Sequence, residues 1–301
     1  MTAATEARRQ RLGIALGLIA ATGLGLAVAI SRLAYEGGTN GLTIASTRGS
    51  VLFLGIAAFC LLSGRNWRLG PRDLLPCMGL GLLAAMMFYG NVAAVQYISV
   101  GLTALLFFTF PPIIAVISIV FVREPVGFGR LLSIAIAFAG LALMLGVSAD
   151  AVDWRGVVLA LCAALAAAWH SVWLARRMGH LDIFVVTFHM TWVAAAALLG
   201  ISLAVGGIHW PTLSVGWLGL IGVVALQALT VPCFFVAIPI IGAVKSGMIG
   251  NLQPLVSILA AYLLYGEVLS PLQWLGGGMV LTGVWLMQWS DRRRRQPPSA
   301  P

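Results

Sequence analysis

Apolar residues run along this chain in long blocks, separated by short stretches where arginine, glycine, proline and the few acids collect. The blocks lie near 12–31, 42–62, 74–95, 101–122, 131–147, 156–175, 183–205, 215–236, 243–264 and 271–289. Each holds roughly 20 residues, the length an α-helix needs to cross ~30 Å of hydrocarbon. A soluble helix keeps a polar face, and these blocks have almost none. A membrane β-strand alternates polar and apolar residues over about ten positions, and these blocks do not alternate. The pattern predicts an all-α integral membrane protein with ten transmembrane helices. Arg8, Arg9 and Arg11 before the first block, with Ala27-Val28-Ala29 inside it, have the form of a cleavable leader. The apolar blocks that follow at once favour an uncleaved first helix.

Composition agrees: 60% of residues are hydrophobic and 9% charged, against about 25% charged in soluble domains. The net charge of +9 invites a nucleic-acid partner, but its distribution argues for topology instead. With an internal N-terminus, one side holds Arg8, Arg9, Arg11, Arg65, Arg68, Arg72, Arg123, Arg130, Arg176, Arg177, Lys245 and Arg292 to Arg295. The other holds only Arg32, Arg48 and Arg155. The positive-inside rule then sets both termini in the cytoplasm of a cytoplasmic-membrane protein. Cys60, Cys77, Cys162 and Cys233 lie in apolar blocks without metal-type spacing, so neither a disulfide nor a metal site is expected. No cofactor is expected either.

The spacing from proline to glutamate recurs: Pro111 to Glu124 and Pro254 to Glu267 are both 13 residues apart. A shift of 143 also pairs Ile98 with Ile241, Leu132 with Leu275, Gly140 with Gly283, Leu143 with Leu286 and Met144 with Met287. An offset near 141 sets Arg48 against His189. The repeats would occupy 1–148 and 149–291, with a short basic tail at 292–301. Five spans per half is odd, so the second half enters the membrane inverted, the plan of many secondary transporters.

In each half a short polar turn (QYISVG; IPIIGAVKSG) leads to a helix with a central proline and a terminal glutamate. A glycine-rich helix follows (LLSIAIAFAGLALMLG; WLGGGMVLTGVWLMQW), and Arg48 stands in a second span after a short loop. Over about 12–290 the chain resembles the EamA-like branch of the drug/metabolite transporter superfamily. The resemblance implies two inverted five-helix halves around a central cavity. It also implies transport of small metabolites, often export of amino acids or related compounds. A structural or gating role for the two glutamates at the membrane edge follows from it as well.

Depth at 1.5 Å per residue selects candidate residues. Asn251, Gln253, Pro254, Thr109, Phe108, Phe110, Pro111, Pro112 and Gln227 fall near the midplane. Amides there are costly unless they face a cavity or a neighbouring helix. Pro254 leaves the carbonyl of residue 250 without a helical donor, and Pro111 and Pro112 do the same for residues 107 and 108. These prolines are either hinges beside a cavity or plain kinks. Of Asn251 and Gln253, Asn251 is the one expected to face the cavity. His170 and His189 are proton relays or neutral groups bonded to another helix. Trp169 is a substrate contact or an interfacial belt residue. Arg48 either snorkels, with Glu36 a partner in reach, or attracts an anionic substrate group. Asn91 could line a vestibule. Glu124 and Glu267 end their helices where the macrodipole disfavours anions, so each must be satisfied locally, by water or by capping the start of the following helix.

A membrane-embedded enzyme or a non-transporting receptor are the rivals. Neither a Gly-x-Ser-x-Gly turn nor His-Glu-x-x-His occurs, so an enzyme is not expected. The expected partners are a small-molecule substrate and the lipid bilayer, with a homodimer compatible with the sequence.

Overall fold

The computed structural model describes residues 3–64, 67–121, 123, 128–146, 153–178, 180–241 and 249–295. The described residues form eleven α-helices, α1 to α11 in chain order, and one 3₁₀ turn. α1 is Ala3–Glu36, α2 Gly41–Leu62, α3 Pro71–Ala93 with the 3₁₀ turn Ala94–Gln96 after it, and α4 Val100–Phe107. α5 is Phe110–Val120, α6 Phe128–Gly146, α7 Trp154–Arg177 and α8 Ile183–Ala204. α9 is Ser214–Ile241, α10 Leu252–Tyr265 and α11 Pro271–Arg295. Among the described residues, seven segments are long and apolar enough to cross a membrane, the fourth of them Val100–Val120, and Leu131–Leu143 and Leu252–Tyr265 are shorter apolar helices. The exterior is apolar, with Leu54, Leu62, Leu218 and Leu263 turned outward, as lipid contact requires.

Two expected spans are modified at their prolines. The block at 101–122 is two helices, because consecutive Pro111 and Pro112 remove two donors and restarting a helix costs less than bending one. Phe108 and Thr109 form the turn, and Ile113 N–H donates to Thr109 O at 3.2 Å to start α5. Both prolines thus stand in a first turn, where a missing N–H has no helical acceptor to lose. Pro254 is likewise in the first turn of α10, behind a turn at Asn251. The expected helix start at 243 lies among residues 242–248, outside the described ones.

The helix pairing obeys an exchange of halves. α1 packs along α9, and its counterpart α7 along α3; α1 also packs on α10, as α7 does on α4 and α5. α2 packs on its own counterpart α8, and α6 on α11. The α6–α11 seam carries the 143-residue shift atom by atom. A Cβ on Gly140 would lie 2.5 Å from Gly276 O, and one on Gly283 would lie 2.6 Å from Ser133 O. Each contact is the other displaced by 143, and bare glycine is what lets the two backbones approach. The same shift relates the Gly37–Gly216 backbone contact of α1 and α9 to the His180–Asp73 pair of α7 and α3 at 3.4 Å. It also relates Gly266 (φ 65) to Arg123 (φ 56), each in the left-handed region immediately before its glutamate. In α2 and α8 the register differs by one residue. The N-caps Asn40 and Asp182 align the helices, so the equivalent of Arg48 is Met190, next to His189.

Candidate functional site

Five helices, α1, α2, α3, α8 and α9, share one apolar cluster that includes Ala34, Ile44, Ala45, Leu52, Ile56, Phe88, Val92, Leu198, Leu220 and Val223. Two polar side chains interrupt its stripes. On α2, Arg48 falls on the i, i+4 series Ile44, Leu52, Ile56. On α9, Gln227 falls on the face of Leu220, Val223, Val224 and Val231, all part of the cluster or packed on it. Gln227 is 2% exposed and its Oε1 accepts no hydrogen bond; the buried Nε of Arg48 donates none. Thr39 Oγ1 and Thr103 Oγ1 are the other unpartnered buried atoms among the described residues. Unpaired buried polar groups cost about 1–3 kcal/mol each, so they mark positions kept for something other than stability. The guanidinium carbon of Arg48 stands 5.2 Å from the centroid of the Phe88 ring, a cation–π geometry.

Glu36 does not partner Arg48; it pairs with Arg32 one turn back on α1, at 3.3 Å. Arg32 also pairs with Glu267 and stacks 4.6 Å over Tyr265. The Glu267 carboxylate accepts from the amides of Val100 at 3.4 Å and Gly101 at 3.5 Å. Glu267 therefore caps α4 of the other half, not the helix that follows it. The reason is local. α11 caps itself, with Gln273 Oε1 accepting from Ser270 N–H at 2.9 Å and Ser270 Oγ from Gln273 N–H at 3.2 Å, a capping box. Left-handed Gly266 ends α10, with its N–H bonded to Tyr262 O at 3.0 Å and the Glu267 N–H bonded to Ala261 O at 3.3 Å. This clamp joins α1, α4 and α10 at the end of the bundle opposite the N-terminus. Glu124 and Lys245 lie outside the described residues.

The remaining candidates are dispersed. Thr109 is buried at the α4–α5 break and its hydroxyl donates to Leu106 O at 2.7 Å. Phe108 is buried within an aromatic trio, 6.2 Å from Phe107 and 5.7 Å from Phe110. Asn251 is the N-cap of α10, half-buried, and its side chain does not cap the helix. Asn91 is buried on α3. Trp169 is half-buried and packs on Phe121 at the end of α5, 5.0 Å between centroids. His170 Nε2 lies 3.2 Å from Met190 Sδ. His189 is fully engaged: Nε2 is 2.7 Å from Trp67 O, and Nδ1 accepts from Trp192 Nε1 at 3.4 Å.

Sequence reasoning missed a cavity of about 190 Å³ between α2, α8 and the α8–α9 connection, lined by Thr43, Ser46, Thr47, Ser50, Val51, Leu199, Ile208 and Trp210. Its signal was present in the hydroxyls at 43, 46, 47 and 50, an i, i+3, i+4, i+7 face. Ser46, in this lining, is bonded to Ser202 of α8, with Oγ atoms 2.9 Å apart. Among the described residues no cluster of histidine, cysteine and acids could hold a metal ion.

Comparison with known proteins places this architecture. The model of the EamA-like transporter family matches residues 11–146 and again 154–289, one match per half. An uncharacterized transporter of Archaeoglobus fulgidus is 27% identical over 240 residues, covering 79% of this chain and 83% of the relative. A solved crystal structure superposes with a TM-score of 0.62 at 16% identity, covering 94% of this chain and 99% of that one; at that identity the likeness is one of fold. With a family match on each half, a multi-pass helical bundle and reciprocal contacts between the halves, the chain belongs to the EamA-like transporter family.

Proposed function

We propose that this transporter moves a small polar or amphipathic metabolite, an amino acid or related compound, outward across the cytoplasmic membrane by alternating access. In this reading residues 1–148 and 149–291 are inverted five-span repeats, ten spans in all, and 292–301 is a cytoplasmic tail. Both termini are cytoplasmic, on the arginine-rich side. The outward direction and the amino-acid class follow the family resemblance.

The observation that carries the reading is the unpaired Arg48 and Gln227 within a cluster built from both halves. Polar groups in a membrane interior without partners mark a substrate path. Arg48, Gln227 and Asn91 belong to that path near the cluster. Thr109, Phe108 and Asn251 stand at the two helix breaks, and Trp169 and His170 at the α5–α7–α8 contact. Pro111 and Pro254 are hinges, since each heads a short helix that can tilt separately from the segment before it. Glu267 gates one end by its clamp, and Glu124, at the repeat-equivalent position, gates the other.

The experiment is solute counterflow with the purified protein in liposomes, across amino acids, amines, sugars and organic acids. Accumulation of at least one labelled compound above empty-vesicle levels is expected. Uptake at the empty-vesicle level throughout would overturn the reading.

A further inference from the structure

We propose that the transported compound carries an anionic group, carboxylate or phosphate, and that the Arg48 guanidinium receives it. This rests on reading the Arg48–Gln227 cluster as the substrate path. Arginine keeps its charge in any protein environment, so Arg48 brings a fixed cation into the bundle. By helix rise it lies roughly 10 Å from the start of α2. A cation at that depth requires an anion or a set of acceptors, and the described residues supply none. Glu36 and Glu267 are taken by Arg32, Asp73 pairs with His180 and Asp153 with Arg155. Asp182 accepts from Phe184 N–H at the start of α8.

Three further observations separate this arginine from the rest. Arg32 and Arg155 have carboxylate partners; Arg48 has only the face of Phe88, at 5.2 Å. Contact with a ring face engages no N–H donor, so the guanidinium keeps the fork that grips carboxylate or phosphate with two hydrogen bonds. Next, the equivalent position in the second half is Met190, buried in the core. There an uncharged side chain packs with Cys77, Leu80 and Val186, so the repeat itself does not require arginine at this position. Finally, the cluster holds an unpaired acceptor as well, Gln227 Oε1. An anionic compound with a donor group elsewhere, as an amino acid has, meets a free cation and a free acceptor in one cluster.

The test uses the full chain in phosphatidylcholine liposomes, with and without phosphatidylglycerol, and counterflow of matched compounds. Leucine is set against leucinamide, phenylalanine against its amide, lactate against lactamide, and serine against O-phosphoserine. Wild-type protein is expected to favour the member that carries the additional carboxylate or phosphate in at least one pair by about tenfold or more, the size of one lost charge-assisted contact. That preference should hold with and without phosphatidylglycerol. Arg48→Gln should abolish it and Arg48→Lys keep part of it. The melting temperature of ligand-free Arg48→Met should equal or exceed wild type, because the substitution removes a half-buried charge that has no carboxylate partner. Uptake of neutral or cationic members with Arg48→Gln fully active would overturn the anion site and leave the transport reading standing. Acid preference that appears only without phosphatidylglycerol would assign Arg48 to a lipid phosphate and overturn the proposal. A clear drop in the melting temperature of Arg48→Met would make Arg48 a structural brace, with the same result. No uptake of any compound would overturn both readings. The comparison of acids with amides needs no variant, so a variant that fails to fold does not remove the test.

Discussion

Glu267→Gln tests whether the far-end clamp holds the helices together. The substitution keeps the size and polarity of the side chain and removes its charge. Arg32 is 38% exposed in the pair and Glu267 14%, so solvent screens part of the attraction and the ion pair is worth ~0.5–1 kcal/mol. The amide contacts from Val100 and Gly101, at 3.4 and 3.5 Å, are long and add a similar amount when the acceptor is charged. Together the loss is about 1–2 kcal/mol, or a factor of roughly 5–30 in a two-state ratio. Thr103 lies one turn beyond Val100 on α4 and is fully buried. A cysteine there, in a chain whose four native cysteines are replaced, reacts with a maleimide only when α4 parts from its neighbours. Labelling should quicken by that factor in Glu267→Gln and by roughly 2–5 in Arg32→Gln, which loses only the ion pair, and the double variant should add little to Glu267→Gln, because both remove the same ion pair. Unchanged labelling in both single variants would refute the clamp.

Other consequences of the fold can be checked by thermal unfolding in detergent. Gly140→Val and Gly283→Val should each cost about 1–3 kcal/mol, and similarly, because each side chain meets a backbone carbonyl across the same seam; Gly278→Ala, inside α11 with nothing within 4 Å of its Cβ, should stabilise by about 0.5–1 kcal/mol. Arg123→Gly should stabilise by a net ~0.5–1 kcal/mol, since relief of a left-handed non-glycine residue exceeds the entropy that glycine loses. The Arg155 side chain and backbone N–H hold the Asp153 carboxyl below the usual carboxylate range. A depressed folded pKa stabilises above the unfolded value of about 3.9 and loses that contribution as pH falls through the folded one. Asp153→Ala should therefore lower the melting temperature slightly at neutral pH, and the gap to wild type should close in strong acid.

The membrane class and the internal repeat were legible because they depend on long apolar blocks and on rare residue types. Prolines and acids are few here, so two proline–glutamate pairs at equal spacing carried more information than the leucine matches around them. The positions of the helix breaks were less legible. Apolarity continues through TFPPII and does not distinguish a bent helix from two helices; the absence of two consecutive N–H donors does. Partner identity was least legible. Glu267 meets Arg32 across 235 positions, a pairing made by the exchange of halves, which local pattern does not carry. The same holds for His189, whose ring closes on Trp67 O. Arg48 was a candidate from depth alone, but its lack of a partner became visible only when the acids were seen to be engaged elsewhere.

Under the proposed alternating access, transport requires the two halves to move against each other. Ser46 of α2 and Ser202 of α8 belong to different halves, and their Oγ atoms are 2.9 Å apart. Cysteines at both positions, in a chain otherwise free of cysteine, should form a disulfide across the seam. Counterflow of the best compound from the matched panel should stop in the oxidised protein and return on reduction, with each single-cysteine variant active throughout. Full transport by protein shown to be completely cross-linked would contradict the claim.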